Sequence, residues 1–518
     1  MFDHDTVLIL DFGSQFTQLI ARRVRELNIY SEVRPCTITD NEITRISPRA
    51  IIISGSSESV NDVNPPQIPK IIYEMGIPIL GICYGQQAIC KDFGGTVSST
   101  TSRSYGETKL KILKDSELFK NFWRVGENHI VWMSHGDSIS NLPKDFKVIA
   151  KTDQAPYAFI QHNYKNIFGI QFHPEVYHTP DGIKLIKTFL VEIAGLKQKW
   201  KARSFIKDKI SEIKKTVGNE KVVLAFSGGV DSTVAAILLH KAIGKQLQCI
   251  FVDNGLLRHN EVKEITENLQ SKFFDLQIKF VDASDKFLSH LKGVVDPEDK
   301  RKVIGRVFIE VFKGIIEDTS ARYLGQGTIY PDIIESATIS TGKKITIKSH
   351  HNVGGLPEEM GTLKLIEPLR LLFKDEVRLI GKQLGIPNDI LHRHPFPGPG
   401  LGVRIIGEVT KEKCTIVRKA DFIFINILKN TGWYHRIWQA YAALLPVKTV
   451  GVMGDTRTYN YICVLRGVTS TDGMTADYAS IPHEILSEAA KQIVNEVDGI
   501  NRVLYDITSK PPGTIELE

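Results

Sequence analysis

The sequence predicts an α/β protein: two consecutive α/β domains followed by a small α+β domain. Three observations carry this. Short apolar runs alternate with helical patterns over the first third of the chain, and the same alternation restarts near Val222. The cluster Pro395-Phe396-Pro397-Gly398-Pro399-Gly400 then sets off a last, β-rich stretch. At roughly 100–200 residues per domain, a chain of 518 residues has room for three. The expected boundaries are 1–196, 197–394 and 395–518.

In the first region Val7–Leu10, Ala50–Ile53 and Ile77–Ile82 read as buried strands, and Gln15–Glu26 and Gly85–Phe93 as helices. Lys109–Leu113 and Ile167–Phe172 could add antiparallel strands to a mostly parallel sheet. Residues 197–221 are Lys-rich and helical, which suits a solvated helix leading into the next domain better than a nucleic-acid arm. Val222–Phe226 and Leu247–Val252 then read as strands around a helix Ser232–Ile243. Residues 299–312 are helical, and Arg322–Gly325 begins another strand. Beyond the Pro/Gly cluster, Thr449–Met453, Tyr461–Leu465 and Arg502–Ile507 are β-rich.

Composition narrows the function. With 42% hydrophobic and 24% charged residues the chain is neither disordered nor fibrous. Its net charge of +6, from 65 basic and 59 acidic residues, is too small to suggest a nucleic-acid partner. Six cysteines with no C-x-x-C pair argue against a zinc site and for a reducing compartment. No apolar stretch approaches the ~20 residues of a membrane helix, and Met1–Asp5 carries acids where a secretory signal has basic residues. The expectation is a cytoplasmic protein without membrane or nucleic-acid contacts.

Two segments carry chemistry. In the first, a strand leads into Gly81-Ile82-Cys83-Tyr84-Gly85 and a helix follows. This is the cysteine form of the nucleophile elbow. The glycines allow a sharp turn that lifts the central side chain clear, and the helix N-terminus favours a thiolate. A nucleophile needs a base, and the base an orienting group. Gln171-Phe172-His173-Pro174-Glu175 supplies both, because in an extended segment His173 and Glu175 point to one side.

With Leu10-Asp11-Phe12-Gly13-Ser14-Gln15 and Ser134-His135-Gly136-Asp137, these pieces resemble a class I glutamine amidotransferase over residues ~5–195. The resemblance implies Cys83 as nucleophile, His173 as base and Glu175 as acid, acting on the side-chain amide of glutamine. The family usually has Ser-Gly-Gly-Pro where this chain has Ser54-Gly55-Ser56-Ser57. Backbone N–H donors survive that change, so an oxyanion hole is still expected.

In the second segment a strand runs into Ser227-Gly228-Gly229-Val230-Asp231-Ser232, and a helix follows. Paired glycines and a helix N-terminus suit a phosphate. Asp231 could cap the helix or approach a magnesium ion, and a plain Gly turn with an Asp/Ser cap has the same local pattern. The Walker A spacing is absent. The stretch resembles the PP-loop of the ATP pyrophosphatases, and so implies a PP-loop adenine-nucleotide α-hydrolase-like parallel sheet. Those enzymes cleave ATP between the α and β phosphates. The resemblance implies ATP contacts at Ser227, Gly228, Gly229, Val230, Asp231 and Ser232. Lys374 matches the family's pyrophosphate lysine, and Phe251–Arg258 its second strand near the adenosine.

A glutaminase and an adenylating site in one chain imply synthesis of an amide or amidine. The remaining stretches resemble the GMP synthetases: 296–305, 324–336, 350–357, 395–401 and 510–516. That resemblance implies glutamine, ATP and XMP as substrates, Mg²⁺ with the ATP, and no tightly bound organic cofactor. It implies XMP contacts at Arg301, Gln439, Lys510, Ile515 and Glu516, a dimerisation role for the last domain, and a homodimer. Residues 295–305 are charge-rich, which suits a mobile lid that closes over a reactive intermediate. Leu517 stands where the family more often has Trp. His350-His351 lacks further ligands at metal spacing. A tRNA-modifying relative would carry paired catalytic cysteines or a strong basic patch, and neither is present.

Overall fold

The computed structural model describes residues 5–14, 16–270, 273, 275–317, 319–332, 363–470 and 476–518. Among these, the chain divides into two compact units between Phe205 and Ile206, within the helix Ala202–Val217.

The first unit is built on one nine-stranded sheet. Its strands are β1 (Thr6–Asp11), β2 (Tyr30–Pro35), β3 (Ala50–Ile53), β4 (Ile79–Ile82), β5 (Thr96–Ile112), β6 (Asn128–Asn141), β7 (Phe146–Lys151), β8 (Phe159–His162) and β9 (Ile167–Ile170), in the order β2-β1-β3-β4-β9-β8-β7-β5-β6. β2 to β9 pair in parallel, and the strands beyond β9 pair antiparallel. β9 joins the two halves, running parallel to β4 and antiparallel to β8. Strands β3, β4 and β9 are buried at every residue, so they read as unbroken apolar runs rather than alternating ones. The ends of β4 and β9 lie side by side, which brings the segments after them together.

The second unit contains a five-stranded parallel sheet: β10 (Lys221–Ala225), β11 (Leu247–Asp253), β12 (Ile278–Asp282), β13 (Ala321–Gly325) and β14 (Lys364–Ile366), ordered β12-β11-β10-β13-β14. The order reverses between β10 and β13. In open α/β sheets a ligand crevice lies at such a switch, beyond the carboxyl ends of the strands. The Ser227–Ser232 loop follows β10, at that position.

A smaller mixed sheet follows: β15 (Gln439–Met453), β16 (Thr456–Thr469), β17 (Asp477–Tyr478) and β18 (Ile500–Tyr505). β15 and β17 flank β16 antiparallel, and β18 pairs parallel with it. Helix Lys411–Asn430 buries Val417, Phe424 and Leu428 against this sheet. The same apolar cluster continues into Val223, Ile250, Leu256 and Ile304, so both sheets of the second unit share one core. Residues 297–305 open the helix Pro297–Glu317, and Lys300 within them is buried. No helix among the described residues is long and apolar enough to cross a membrane.

Candidate functional site

Cys83 sits between β4 and the helix Tyr84–Asp92 with φ 54° and ψ −107°, a conformation L residues rarely adopt. The flanking glycines are needed for space. A Cβ on Gly81 would lie 2.7 Å from the Gly85 carbonyl, and one on Gly85 2.6 Å from the Ile53 oxygen. The Cys83 amide donates to the Ile170 carbonyl at 2.8 Å, which ties the elbow to the end of β9.

His173 Nδ1 lies 2.7 Å from Glu175 Oε1, and both side chains are buried. Burial opposes a charged His173, but the Glu175 charge and the adjacent Cys83 outweigh it and push its pKa up to about 10. The histidine backbone is also held. Its amide donates to the Trp132 carbonyl at 2.9 Å, and Thr179 Oγ1 donates to its carbonyl at 2.7 Å. Nε2 is buried and makes no hydrogen bond of ordinary geometry.

Gly55 stands beside both groups. A Cβ there would be 3.5 Å from His173 Cε1 and 3.6 Å from Cys83 Cβ. Ser54 Oγ accepts from the Phe12 amide at 3.0 Å and donates to the Gly55 carbonyl at 2.9 Å. Neither Ser56 nor Ser57 is among the described non-glycine residues with positive φ. Serine at these two positions therefore costs no left-handed backbone strain.

The neighbourhood holds a contact that the sequence motifs leave without a role. Gln171 Nε2 donates to Cys83 Sγ at 3.6 Å, while its oxygen accepts from Gln87 Nε2 at 3.2 Å. Cys83 Sγ donates to the Ser134 carbonyl at 3.6 Å. The sequence signal for Gln171 is its position two residues before His173, just beyond the end of β9.

In the second unit, Gly229 ends the loop and caps helix Val230–Ile243 with no side-chain hydrogen bond, so first-turn N–H groups remain to receive an anion. Gly228 has φ +72°, and a Cβ there would meet Ile265 Cδ1 at 2.1 Å. Ser227 and Ser232 hydroxyls lie 3.0 Å apart. Lys374, at the start of helix Lys374–Leu384, reaches Asp231 Oδ2 at 2.5 Å. Asp231 Oδ1 is buried without a hydrogen-bond partner.

The residues expected to contact XMP fall in two places. Gln439 and Glu516 hydrogen-bond directly. Arg404, fully buried, donates to both Glu516 oxygens at 3.1 Å. The Ile515 carbonyl accepts from Tyr441 Oη at 2.7 Å and Arg466 Nε at 2.9 Å. Lys510 pairs through its backbone with Ala476, at 2.7 and 3.1 Å. Arg301 sits on helix Pro297–Glu317, with Glu298 at 3.8 Å. The Pro/Gly cluster packs on the β11 loop: a Cβ on Gly400 would lie 2.4 Å from the Leu256 oxygen. Gln15, Ile333–Ser336 and His350–Pro357 lie outside the described residues.

Three family models match. Glutamine amidotransferase class-I matches residues 8–193, NAD synthase 201–294, and GMP synthase C terminal domain 426–517. Among curated proteins, a glutamine-hydrolyzing GMP synthase of Rhizobium etli is 53% identical over 515 residues, covering 99% of each chain. Those of Rhizobium rhizogenes and of Brucella melitensis are also 53% identical over 515 residues, with 99% of each chain covered.

Proposed function

The chain belongs to the glutamine-hydrolysing GMP synthase family, and from that membership we propose which of its residues perform each half of the reaction. The observation that carries the proposal is the meeting of Cys83 with the buried His173–Glu175 pair at the ends of two adjacent strands.

At the first site Cys83 passes its proton to His173 Nε2, and the sulfur attacks the side-chain amide carbon of glutamine. Glu175 holds the histidine in the tautomer with Nδ1 protonated and stabilises its charged form. Backbone N–H groups near Gly55 and in the first turn after Cys83 receive the oxyanion. The carbon–nitrogen bond breaks, His173 returns the proton to the departing nitrogen, and ammonia leaves. Water, deprotonated by His173, then cleaves the γ-glutamyl thioester to glutamate and free thiol.

At the second site the C2 oxygen of XMP attacks the α-phosphorus of ATP and pyrophosphate leaves. Ser227, Gly228, Gly229, Val230, Ser232 and Lys374 hold the leaving group through N–H, hydroxyl and ammonium donors. Ammonia then adds at C2 and AMP departs, leaving GMP. The unbonded Asp231 Oδ1 suits Mg²⁺, which takes few protein carboxylates and fills its shell with phosphate oxygens and water. Among the described residues no group of three or more His, Cys, Asp or Glu could form a metal cage by itself. Bound with ATP, the ion would neutralise phosphate charge. Arg301 and Lys510 suit the XMP phosphate, and Gln439, Ile515 and Glu516 complete the contacts.

The division into 1–196 (amidotransferase), 197–394 (ATP pyrophosphatase) and 395–518 (dimerisation and XMP binding) belongs to the same reading. So do a homodimer and a cytoplasmic location. Val450 and Tyr459, paired across β15 and β16, are 50% and 59% exposed, and Val452 nearby is 72% exposed. An apolar sheet face of this kind supports pairing through the last region.

The test is incubation with glutamine, ATP, Mg²⁺ and XMP. Equal amounts of GMP, AMP, pyrophosphate and glutamate are expected. No AMP from XMP, even with free ammonia supplied, would remove XMP as the acceptor.

A further inference from the structure

Four of the five proposed XMP contacts lie on two segments far apart in sequence. Arg301 is on helix Pro297–Glu317, and Lys510, Ile515 and Glu516 are in the final stretch. A buried ion pair joins these segments. Lys300, the neighbour of Arg301, is 0% exposed, and its Nζ is paired with Glu518 Oε2. The same ammonium donates to the Ile405 carbonyl at 2.7 Å and the Gly402 carbonyl at 3.4 Å. The other carboxylate oxygen, Glu518 Oε1, accepts from the Gly407 amide at 3.1 Å.

We propose that Lys300 and Glu518 are positioning residues for XMP, a latch that sets Arg301 and Glu516 at their working separation. The inference rests on the reading of Arg301 and Glu516 as XMP contacts. An ammonium has three donors, and here two carbonyls and one carboxylate receive them. A buried charge is costly without its partner, so helix and final stretch are held at this contact together or not at all. Lys300 fixes the first turns of the helix, and with them the origin of the Arg301 side chain. Glu518 is two residues from Glu516, so tying it to Lys300 and to the Gly407 amide also restrains the backbone that carries Glu516. Glu516 is separately tied to the β15 side by Arg404 and Gln439, and the Ile515 carbonyl by Tyr441 and Arg466. The Lys300–Glu518 pair adds a tie to the helix.

The experiment uses the full chain with free ammonia as nitrogen source, so the first site takes no part. Glu518→Gln keeps the shape of the side chain and removes its charge. The XMP KM is expected to rise on the order of tenfold, because one partner of a buried pair is lost. The ATP KM should stay within about twofold, since the latch touches neither Lys374 nor the Ser227–Ser232 loop. Adding Lys300→Met to Glu518→Gln should raise the XMP KM by less than the product of the two single effects, because the pair they share is lost only once. Glu518→Gln carries the test by itself if Lys300→Met does not fold. An unchanged XMP KM, or equal rises for XMP and ATP, overturns the latch. Glu516→Gln is run alongside. If it raises the XMP KM while Glu518→Gln does not, the latch alone fails. If Glu516→Gln has no effect, the contact assignment fails and the latch with it.

Discussion

His173 Nδ1 and Glu175 Oε1 are 2.7 Å apart and buried, with His173 2% and Glu175 0% exposed. Pro174 and Glu175 form a turn after β9 rather than the extended segment expected from sequence, and that turn brings the carboxylate to Nδ1. The carboxylate accepts a hydrogen bond from Nδ1–H, which keeps the proton on Nδ1 and leaves Nε2 for the cysteine.

Glu175→Gln keeps the shape but loses the charge that selects the tautomer. Glutaminase kcat, read as glutamate release, is expected to fall by roughly 10²–10⁴. Ammonia-driven GMP formation should remain at the native rate. A loss below about threefold would remove Glu175 from the mechanism.

The same pair sets a pH dependence. The His173 pKa is raised in the folded chain, from 6.5 to about 10. A raised histidine stabilises fully below the unfolded value, and that stabilisation is lost as pH rises through the folded value. The gap in Tm between the native chain and Glu175→Gln should therefore be widest near about pH 6 and shrink toward about pH 10. A gap that widens with pH contradicts the assignment.

Gly228 and Gly229 should respond differently to alanine. At Gly228 a methyl meets both a positive φ and Ile265 Cδ1 at 2.1 Å, whereas Gly229 has φ −70° and its nearest neighbour at 3.4 Å. Gly228→Ala is expected to cost about 2–3 kcal/mol in denaturant melts, and Gly229→Ala less than about 1. Similar costs at both positions would mean that the loop is not held as described.

Ser56→Gly restores the residue usual in the family. Because Ser56 is free of positive-φ strain, glutaminase kcat should change by less than about threefold. A large gain would show that serine here distorts the oxyanion donors.

Much of both sites was legible in sequence because each is local. A strand, glycines at fixed offsets and a helix define both the Cys83 elbow and the Ser227–Ser232 loop, and the physics of such turns is carried by neighbouring residues. Contacts across the chain were not legible. Arg404 and Glu516 are 112 positions apart, and local patterns do not encode such a pairing. Lys374 was identified by resemblance, and only the fold explains it, by bringing it to Asp231 across 143 positions. Periodicity also marks Ile167–Phe172 as a strand without naming its partners, so the mixed pairing of β9 emerges only from the sheet. The Pro/Gly cluster reads as a boundary, yet Gly400 serves close packing against Leu256 within a continuous core.

The central claim is a division of labour between a cysteine site that frees ammonia and a loop site that activates XMP. It is tested most directly by assaying Cys83→Ala for GMP with glutamine and then with free ammonia. The account expects no GMP from glutamine and a near-native rate from ammonia. GMP formed from glutamine by Cys83→Ala, or none formed from ammonia, would contradict it.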